Sequence, residues 1–499
     1  MALNRNDRIA LVGLVLLAWG VRWVGLDRLS LWTDEIHSVF LTRFSLFDYF
    51  LFPQYFDHPP FYFLLLKIWM RFGQSDAWIR FLSVIAASMT VIPLYGFVKE
   101  WGGSRAALYA SLFLVLNPLH VRYSQEARQY VFLVLGAVLM FWAAWRFSKR
   151  PSWRNRGSYI AVAFCLMATH VMGTLFVLVH ALLTLFFLLP RPRLSIAWAK
   201  TAGLVFLTGL PWLGLLFFHS RMKVESGFWQ PAPDGAMGLE ILRSLVYTEM
   251  PSVQYLLSRG LSVSISYIPI EHHTYVPFAL LWLVGFGILW RRERRVLWLA
   301  IFPLLAFFIL SIGISFVMVP VFALRTMTPC LLGGGLVYAA CLTPRHKGWK
   351  NGVMHLAAGF CLGLTGLSLY TEQIHFKKED WRGAIRAIAE QSKPRDPVCY
   401  WNYISGLGVD YYAAQEALVN PIYGFPQTYE EAFYTQGEET RESTKPLFSL
   451  PEGERLWMVK FRQAPDYTPM ADALQNQGYD AIQVLPFVSI DVILYLLND

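Results

Sequence analysis

The feature that most limits what this chain can become is the recurrence of apolar stretches long enough to cross a lipid bilayer. They lie at about residues 8–26, 77–98, 105–121, 130–147, 158–174, 175–189, 201–218, 274–290, 296–316, 326–342 and 352–370, eleven in all. Backbone polar groups have no water to bond inside hydrocarbon, so each stretch is expected to be a helix. After Tyr370 the pattern changes. Residues 372–499 alternate short apolar runs with polar turns and contain no run of spanning length. The expected architecture is a polytopic α-helical membrane domain, 1–371, followed by an extracytoplasmic soluble α/β domain, 372–499.

Charge gives the first part its orientation. Only 15% of the 499 residues are charged, against about 25% in an ordinary soluble domain. The net charge of +9 would suggest a nucleic-acid partner if it lay on one polar face, but it does not. Residues 372–499 hold 19 acidic and 11 basic side chains, a balance of −8 that leaves +17 for the rest. The cations fall in every second connection: Arg5/Arg8, Lys99/Arg105, Arg146 to Arg156, Arg191/Arg193/Lys200, Arg291 to Arg295, and Arg345/Lys347/Lys350. By the positive-inside rule that side is cytoplasmic, and an odd number of spans puts the tail outside. The tail is then expected in the periplasm or its equivalent. The run from Ile9 has no small-residue cleavage site and reads as the first span.

Of the five cysteines, Cys399 alone lies in the tail, which excludes a disulfide framework, and no zinc-ribbon spacing occurs. No glycine-rich phosphate loop is present, so no nucleotide cofactor is expected and the energy for any reaction must come with the substrate.

The outside loops carry the chemistry. The first holds Trp32-Thr33-Asp34-Glu35 and Phe56-Asp57-His58-Pro59-Pro60. Between these, Ile36, Val39, Phe40, Phe44, Phe47 and Phe50 have the spacing of an amphipathic interfacial helix, and Phe61 to Phe72 forms a second. A carboxylate pair at a bilayer surface is placed to have one pKa raised by its neighbour and by desolvation, as a general base requires. The same residues equally suit a helix cap. The second outside loop reads Tyr123-Ser124-Gln125-Glu126-Ala127-Arg128-Gln129-Tyr130, where Glu126 and Arg128 either brace the loop as an ion pair or meet a charged ligand. Arg325 has no acid near it in sequence and asks for an anion such as lipid phosphate, or else snorkels. The long loop 219–273 supplies Arg221 and then Glu271-His272-His273. With Asp57, the two histidines would make a divalent-cation site for Mg, Mn or Zn; without it they are surface histidines.

Three motifs in this order, Asp34-Glu35 after the first span, Asp57-His58-Pro59-Pro60, and the Tyr123 to Tyr130 loop, make residues 1–370 resemble bacterial GT-C membrane glycosyltransferases. The group is the dolichyl-phosphate-mannose protein mannosyltransferase-like and aminoarabinose-transferase-like one. The resemblance implies an inverting glycosyltransferase that moves a hexosyl or pentosyl unit from a polyprenyl-phosphate donor to a lipid, glycan or protein acceptor at the outer membrane face. Asp34 would be the general base and Glu35 its orienting partner. His58, which stands where some relatives carry lysine, would join Arg128, Arg325 and Arg221 around the donor phosphate. Tyr123, Gln125 and Glu126 would line the acceptor side or shape the loop, and a metal would sit on Asp57, His272 and His273.

Two other classes compete: a lipid-linked glycan flippase or transporter, and an outer-face glycan polymerase or ligase. Charges gathered in loops rather than mid-span argue against a transporter. The arginine-rich catalytic loop of a polymerase is not evident. In the tail, Lys378 to Ile388 reads as an amphipathic helix, Asp396 to Tyr400 and Arg455 to Phe461 as strands, Met470 to Gln477 as a helix and Ala481 to Val484 as a strand. No catalytic set stands out there, and acceptor recognition or a lid is its expected role.

Overall fold

Each of the eleven apolar stretches is mainly helical in the computed structural model, which describes residues 3–51, 58–226, 233–235, 237–239, 241, 275–317, 320–343, 349–425, 454–462 and 468–498. By contacts these residues divide into two units. One holds Leu26 and the residues before it together with the chain from Phe44 to His375; the other joins Asp27–Arg43 to the segment from Phe376 onward.

The described helices are α1 (Arg5–Trp23), α2 (Thr33–Leu41), α3 (Asp48–Leu51), α4 (Phe61–Trp69), α5 (Asp76–Met89), α6 (Val91–Leu116), α7 (Pro118–Ser124), α8 (Tyr130–Lys149) and α9 (Trp153–Thr169). They continue with α10 (Val171–Leu188), α11 (Pro192–Ser226), α12 (Tyr275–Arg292), α13 (Arg294–Val317), α14 (Leu331–Cys341) and α15 (Trp349–His375). All but α2 belong to the first unit. Among the described residues, six segments are long and apolar enough to cross a membrane: Asp76–Leu116, Tyr130–Lys149, Val171–Leu188, Pro192–Gly214, Arg294–Val317 and Gly352–Ile374. The chain is a multi-pass membrane protein. At about 1.5 Å per residue an unbroken Asp76–Leu116 helix would be about 60 Å long, twice the hydrocarbon thickness. Gly103, at φ 82° and ψ 176°, breaks it between Lys99 and Arg105, where the basic cluster leads one to expect a connection.

Local chemistry fixes the other boundaries. The Asn117 side chain accepts from the His120 N–H, and Pro118 opens α7 at a position that needs no donor. The break between α9 and α10 falls at His170 rather than near residue 174, because its Nδ1 caps the Met172 N–H at 2.9 Å. The expected single amphipathic helix from Ile36 to Phe50 is two pieces. Ser45 and Asp48 cap one another's backbone N–H at 2.6 and 3.4 Å and start a new helix there. Several buried charges inside the first unit meet the backbone or a partner. Buried Arg22 donates to the Ala18 and Val115 carbonyls and pairs with His120 Nδ1 at 2.7 Å, while Asp7 meets Lys99 and Tyr95.

The second unit contains α2, α16 (Trp381–Gln391), α17 (Asn402–Gln415) and α18 (Thr468–Asn476) with strands β1 (Val398–Trp401), β2 (Ile422–Phe425), β3 (Arg455–Phe461), β4 (Tyr479–Phe487) and β5 (Ile490–Leu497). The sheet order is β2-β1-β3-β5-β4, parallel on both sides of β1 and antiparallel through β3, β5 and β4. Cys399, Leu456, Met458, Met470, Leu474 and Tyr495 pack into its core. The two expected helices and the first, third and fourth strands are present. Helix α17 and strands β2 and β5 are additional.

Candidate active site

In the second unit, α2 begins without a side-chain acceptor of its own, because Trp32 stands at the N-cap position. Two carboxylates fill the gap. Glu35 reaches back to accept the Trp32 N–H at 3.3 Å, and Glu379, from the segment before α16, accepts the Thr33 N–H at 2.8 Å. The same Glu379 Oε2 also accepts from Thr33 Oγ1 at 2.5 Å and from Trp381 Nε1 at 2.8 Å. On either side, Ser30 Oγ donates to the Glu379 carbonyl at 2.6 Å, and the Leu31 N–H donates to Tyr412 Oη at 2.6 Å.

The adjacent carboxylates of the motif have different surroundings. Glu35 is fully buried, with Lys378 Nζ at 3.2 Å from its Oε2. Asp34 is half-buried and keeps an accessible surface, and its own carbonyl accepts from Ser38 Oγ at 3.0 Å. Glu35 is thus the sealed member of the pair, and Asp34 the one with exposed surface. Both sit in the first turn of α2, where the positive end of the helix dipole favours a carboxylate. Burial pushes the Glu379 carboxyl above its usual range; Thr33 and Trp381 pull it back, and the charge of Asp34 pushes it up again.

In the first unit, the end of α7 and the loop at residues 125–129 lead into α8. Tyr123 is buried, and its phenol is within electrostatic reach of Arg122, Glu126, Tyr130 and Arg325. Glu126 and Arg128 are both buried, the Arg128 N–H donates to the Glu126 carbonyl at 2.8 Å, and the guanidinium lies 5.7 Å from the centre of the Tyr130 ring. Thr328 Oγ1 lies within hydrogen-bond distance of the Tyr130 carbonyl at 3.3 Å and the Arg325 carbonyl at 3.2 Å, its one proton shared between them, which ties the Arg325 turn to this loop. Gln125 is a brace: its Nε2 donates to the Arg22 and Val24 carbonyls at 2.9 and 2.7 Å. The His58 ring packs against that of His170 at an inclination of 30° with centres 4.4 Å apart, and the His170 ring centre lies 6.0 Å from that of Tyr130. The Arg325 turn thus lies beside the loop that carries Tyr123, Glu126 and Arg128.

Asp57, His272, His273 and the side chain of Arg221 lie outside the described residues. Among the described residues no group of three or more His, Cys, Asp or Glu stands close enough to hold a metal ion. The sequence did not single out Lys378, Glu379, Tyr412 or His170. The first two form a charged run with Asp380 just after the last apolar stretch, a pattern that reads as an ordinary polar helix start.

A family model described as dolichyl-phosphate-mannose-protein mannosyltransferase matches residues 57–214. Among curated proteins, none matches the chain. Among solved structures, ArnT from Cupriavidus metallidurans in the apo state has a TM-score of 0.59 at 12% identity, covering 97% of each chain. The same enzyme bound to undecaprenyl phosphate scores 0.58 at 13% identity, again with 97% of each chain covered. This is the GT-C fold. The Archaeoglobus fulgidus oligosaccharyltransferase in complex with Zn and sulfate is also similar, with a TM-score of 0.51 at 13% identity over 96% of this chain and 73% of that one. The GT-C similarity therefore runs through the tail as well as the membrane helices, further than the motifs at residues 34–130 reach.

Proposed function

We propose that this protein transfers a sugar from a polyprenyl-phosphate carrier to an acceptor hydroxyl, with inversion, at the extracytoplasmic face of a bacterial inner membrane. The observation that carries the reading is the pair of unlike carboxylates at the start of α2, one buried against Lys378 and one half-exposed, in a chain with the GT-C fold. Support also comes from the relatives, one of which binds undecaprenyl phosphate.

The chemistry needs little else. The acceptor oxygen attacks the anomeric carbon, the bond from that carbon to the phosphate oxygen breaks, and the polyprenyl phosphate leaves with the electron pair. Asp34 takes the proton of the hydroxyl, as a general base on the face opposite the leaving group. A lipid phosphate is already a good leaving group and needs cations rather than an acid, a role assigned to Arg128 and Arg325 with His58 and Arg221. Tyr123 and Glu126 shape that loop. A divalent cation, were Asp57, His272 and His273 to hold one, would neutralise charge on the departing phosphate; none of the assigned roles depends on it. The domain limits 1–371 and 372–499 describe the membrane and tail parts, and the latter supplies residues to the site.

The test is turnover of a panel of radiolabelled undecaprenyl-phosphate hexoses and pentoses by the purified chain, with released lipid phosphate as the readout. A transporter would release none. Asp34→Asn should lower turnover about 10²- to 10⁴-fold, since it removes a base and keeps the shape. Glu35→Gln should cost less. Wild-type turnover in Asp34→Asn would refute the assignment, and a reversed order would make Glu35 the base.

A further inference from the structure

We infer that Glu379 is a positioning residue for Asp34, and that the C-terminal segment contributes it as the missing cap of α2. This rests on Asp34 being the base. Helix α2 has no acceptor at its N-cap position, so the first-turn donors that precede Asp34 must be met from elsewhere. One oxygen of Glu379 meets the Thr33 N–H and also takes the Thr33 hydroxyl, immediately before Asp34 in the chain. With both the backbone and the side chain of Thr33 held by a single atom, the direction in which the next residue leaves the helix is set.

Glu379 is itself held. Trp381 Nε1 donates to it, the Trp381 ring is fully buried, and that ring lies where a Cβ at Gly408 would be, at 2.3 Å. The Glu379 backbone carbonyl takes the Ser30 hydroxyl. Residues 30–33 and 379–381 therefore form a two-sided clasp, and α17 backs it through Gly408. Lys378 meets Glu35 at 3.2 Å, so two consecutive residues of the tail hold Thr33 and Glu35, the neighbours of Asp34 on either side. The role is geometric. Glu379 holds the residue beside the base and takes no part in the proton transfer, so its removal should act on the bond-making step and leave donor binding alone.

The test uses the full-length protein in detergent with undecaprenyl-phosphate [14C]mannose or whichever panel member is turned over. Glu379→Ala should lower kcat about 10- to 100-fold, the range expected when a catalytic group is displaced by about an ångström, with donor KM moved less than about twofold. Glu379→Gln, which keeps an acceptor oxygen, should recover most of the loss. Thr33→Val removes the hydroxyl contact alone and should lower kcat less than Glu379→Ala, and combining the two should add little to Glu379→Ala. Unchanged kcat in well-folded Glu379→Ala, a rise in donor KM matching the loss, or no recovery in Glu379→Gln would overturn the inference. If Glu379→Ala does not fold, Thr33→Val decides: lowered kcat at constant KM supports the clasp, and unchanged kcat rejects it. Asp34→Asn in the same preparation separates the two readings. An inactive Asp34→Asn beside a fully active Glu379→Ala rejects the positioning role alone, whereas an active Asp34→Asn rejects the base.

Discussion

At the scale of single residues, what distinguishes Asp34 from Glu35 is solvent. A fully buried carboxylate needs a compensating charge, and Lys378 at 3.2 Å supplies it for Glu35, whereas Asp34 keeps an accessible surface. The phosphate-binding assignment has its own test. Arg128→Ala and Arg325→Ala should each raise donor KM about tenfold or more, the cost of losing a charge-assisted hydrogen bond, with kcat changed less. Lysine at either position should restore part of the affinity, having the charge without the fork. Donor binding unchanged in both would make them structural cations. Glu379 gives a pH signature. Burial holds its carboxyl above the ordinary range against the pull of Thr33 and Trp381, so the folded chain binds that proton more tightly than the unfolded one. Its contribution to stability is then complete below the ordinary carboxylate range, at about pH 4, and is lost as pH rises through the elevated folded value. Thermal unfolding should record a decline over that interval that Glu379→Gln lacks; equal slopes would count against it.

At the scale of elements, the boundaries follow short-range chemistry and the pairings follow packing. The reciprocal Ser45 and Asp48 caps divide the interfacial segment, and His170 divides α9 from α10. Both signals are legible in the sequence once capping is weighed against apolar spacing. The contact between α16 and α17 is different. Gly408 admits the Trp381 ring, and no local rule links positions 381 and 408. Gly408→Ala would gain about 0.5–1 kcal/mol of helix propensity but would drive a Cβ into the ring, and overpacking costs about 1–3 kcal/mol. The clash should win, lowering the thermal midpoint and, through Trp381 and Glu379, reducing kcat. A stabilised and fully active variant would show that the ring moves aside freely.

At the scale of the whole molecule, Asp27–Arg43 belongs by contacts to the unit that contains the tail, although about 330 residues of chain separate them. The tail is thus a structural partner of the Asp34-Glu35 motif, and the lid or acceptor-recognition role expected for it is at most one of its functions. The metal belongs to this scale too, because Asp57 and the His272-His273 pair come from separate loops. With the cation on those ligands, EDTA should stop turnover, Mn²⁺ or Mg²⁺ should restore it, and Asp57→Ala should abolish the response together with most activity. Full turnover in a demonstrably metal-free preparation would leave the phosphate charge to Arg128, Arg325 and His58.

Sequence alone marked out the membrane helices and the residue after which they stop. Apolar length dictates helices in hydrocarbon, alternating cations dictate the sidedness to be expected, and the loss of both after residue 371 marks the tail. It also singled out Asp34-Glu35 and the Tyr123 to Tyr130 loop, because charge beside membrane-length apolar sequence is costly without a task. Tertiary structure alone decided which of the two carboxylates is sealed, that Arg325 lies beside the loop of Tyr123, and that Lys378 and Glu379 complete α2. These are contacts between residues hundreds of positions apart. A charged pair before an amphipathic helix has the same local pattern whether it faces water or caps a distant helix, and only the fold specifies its partner.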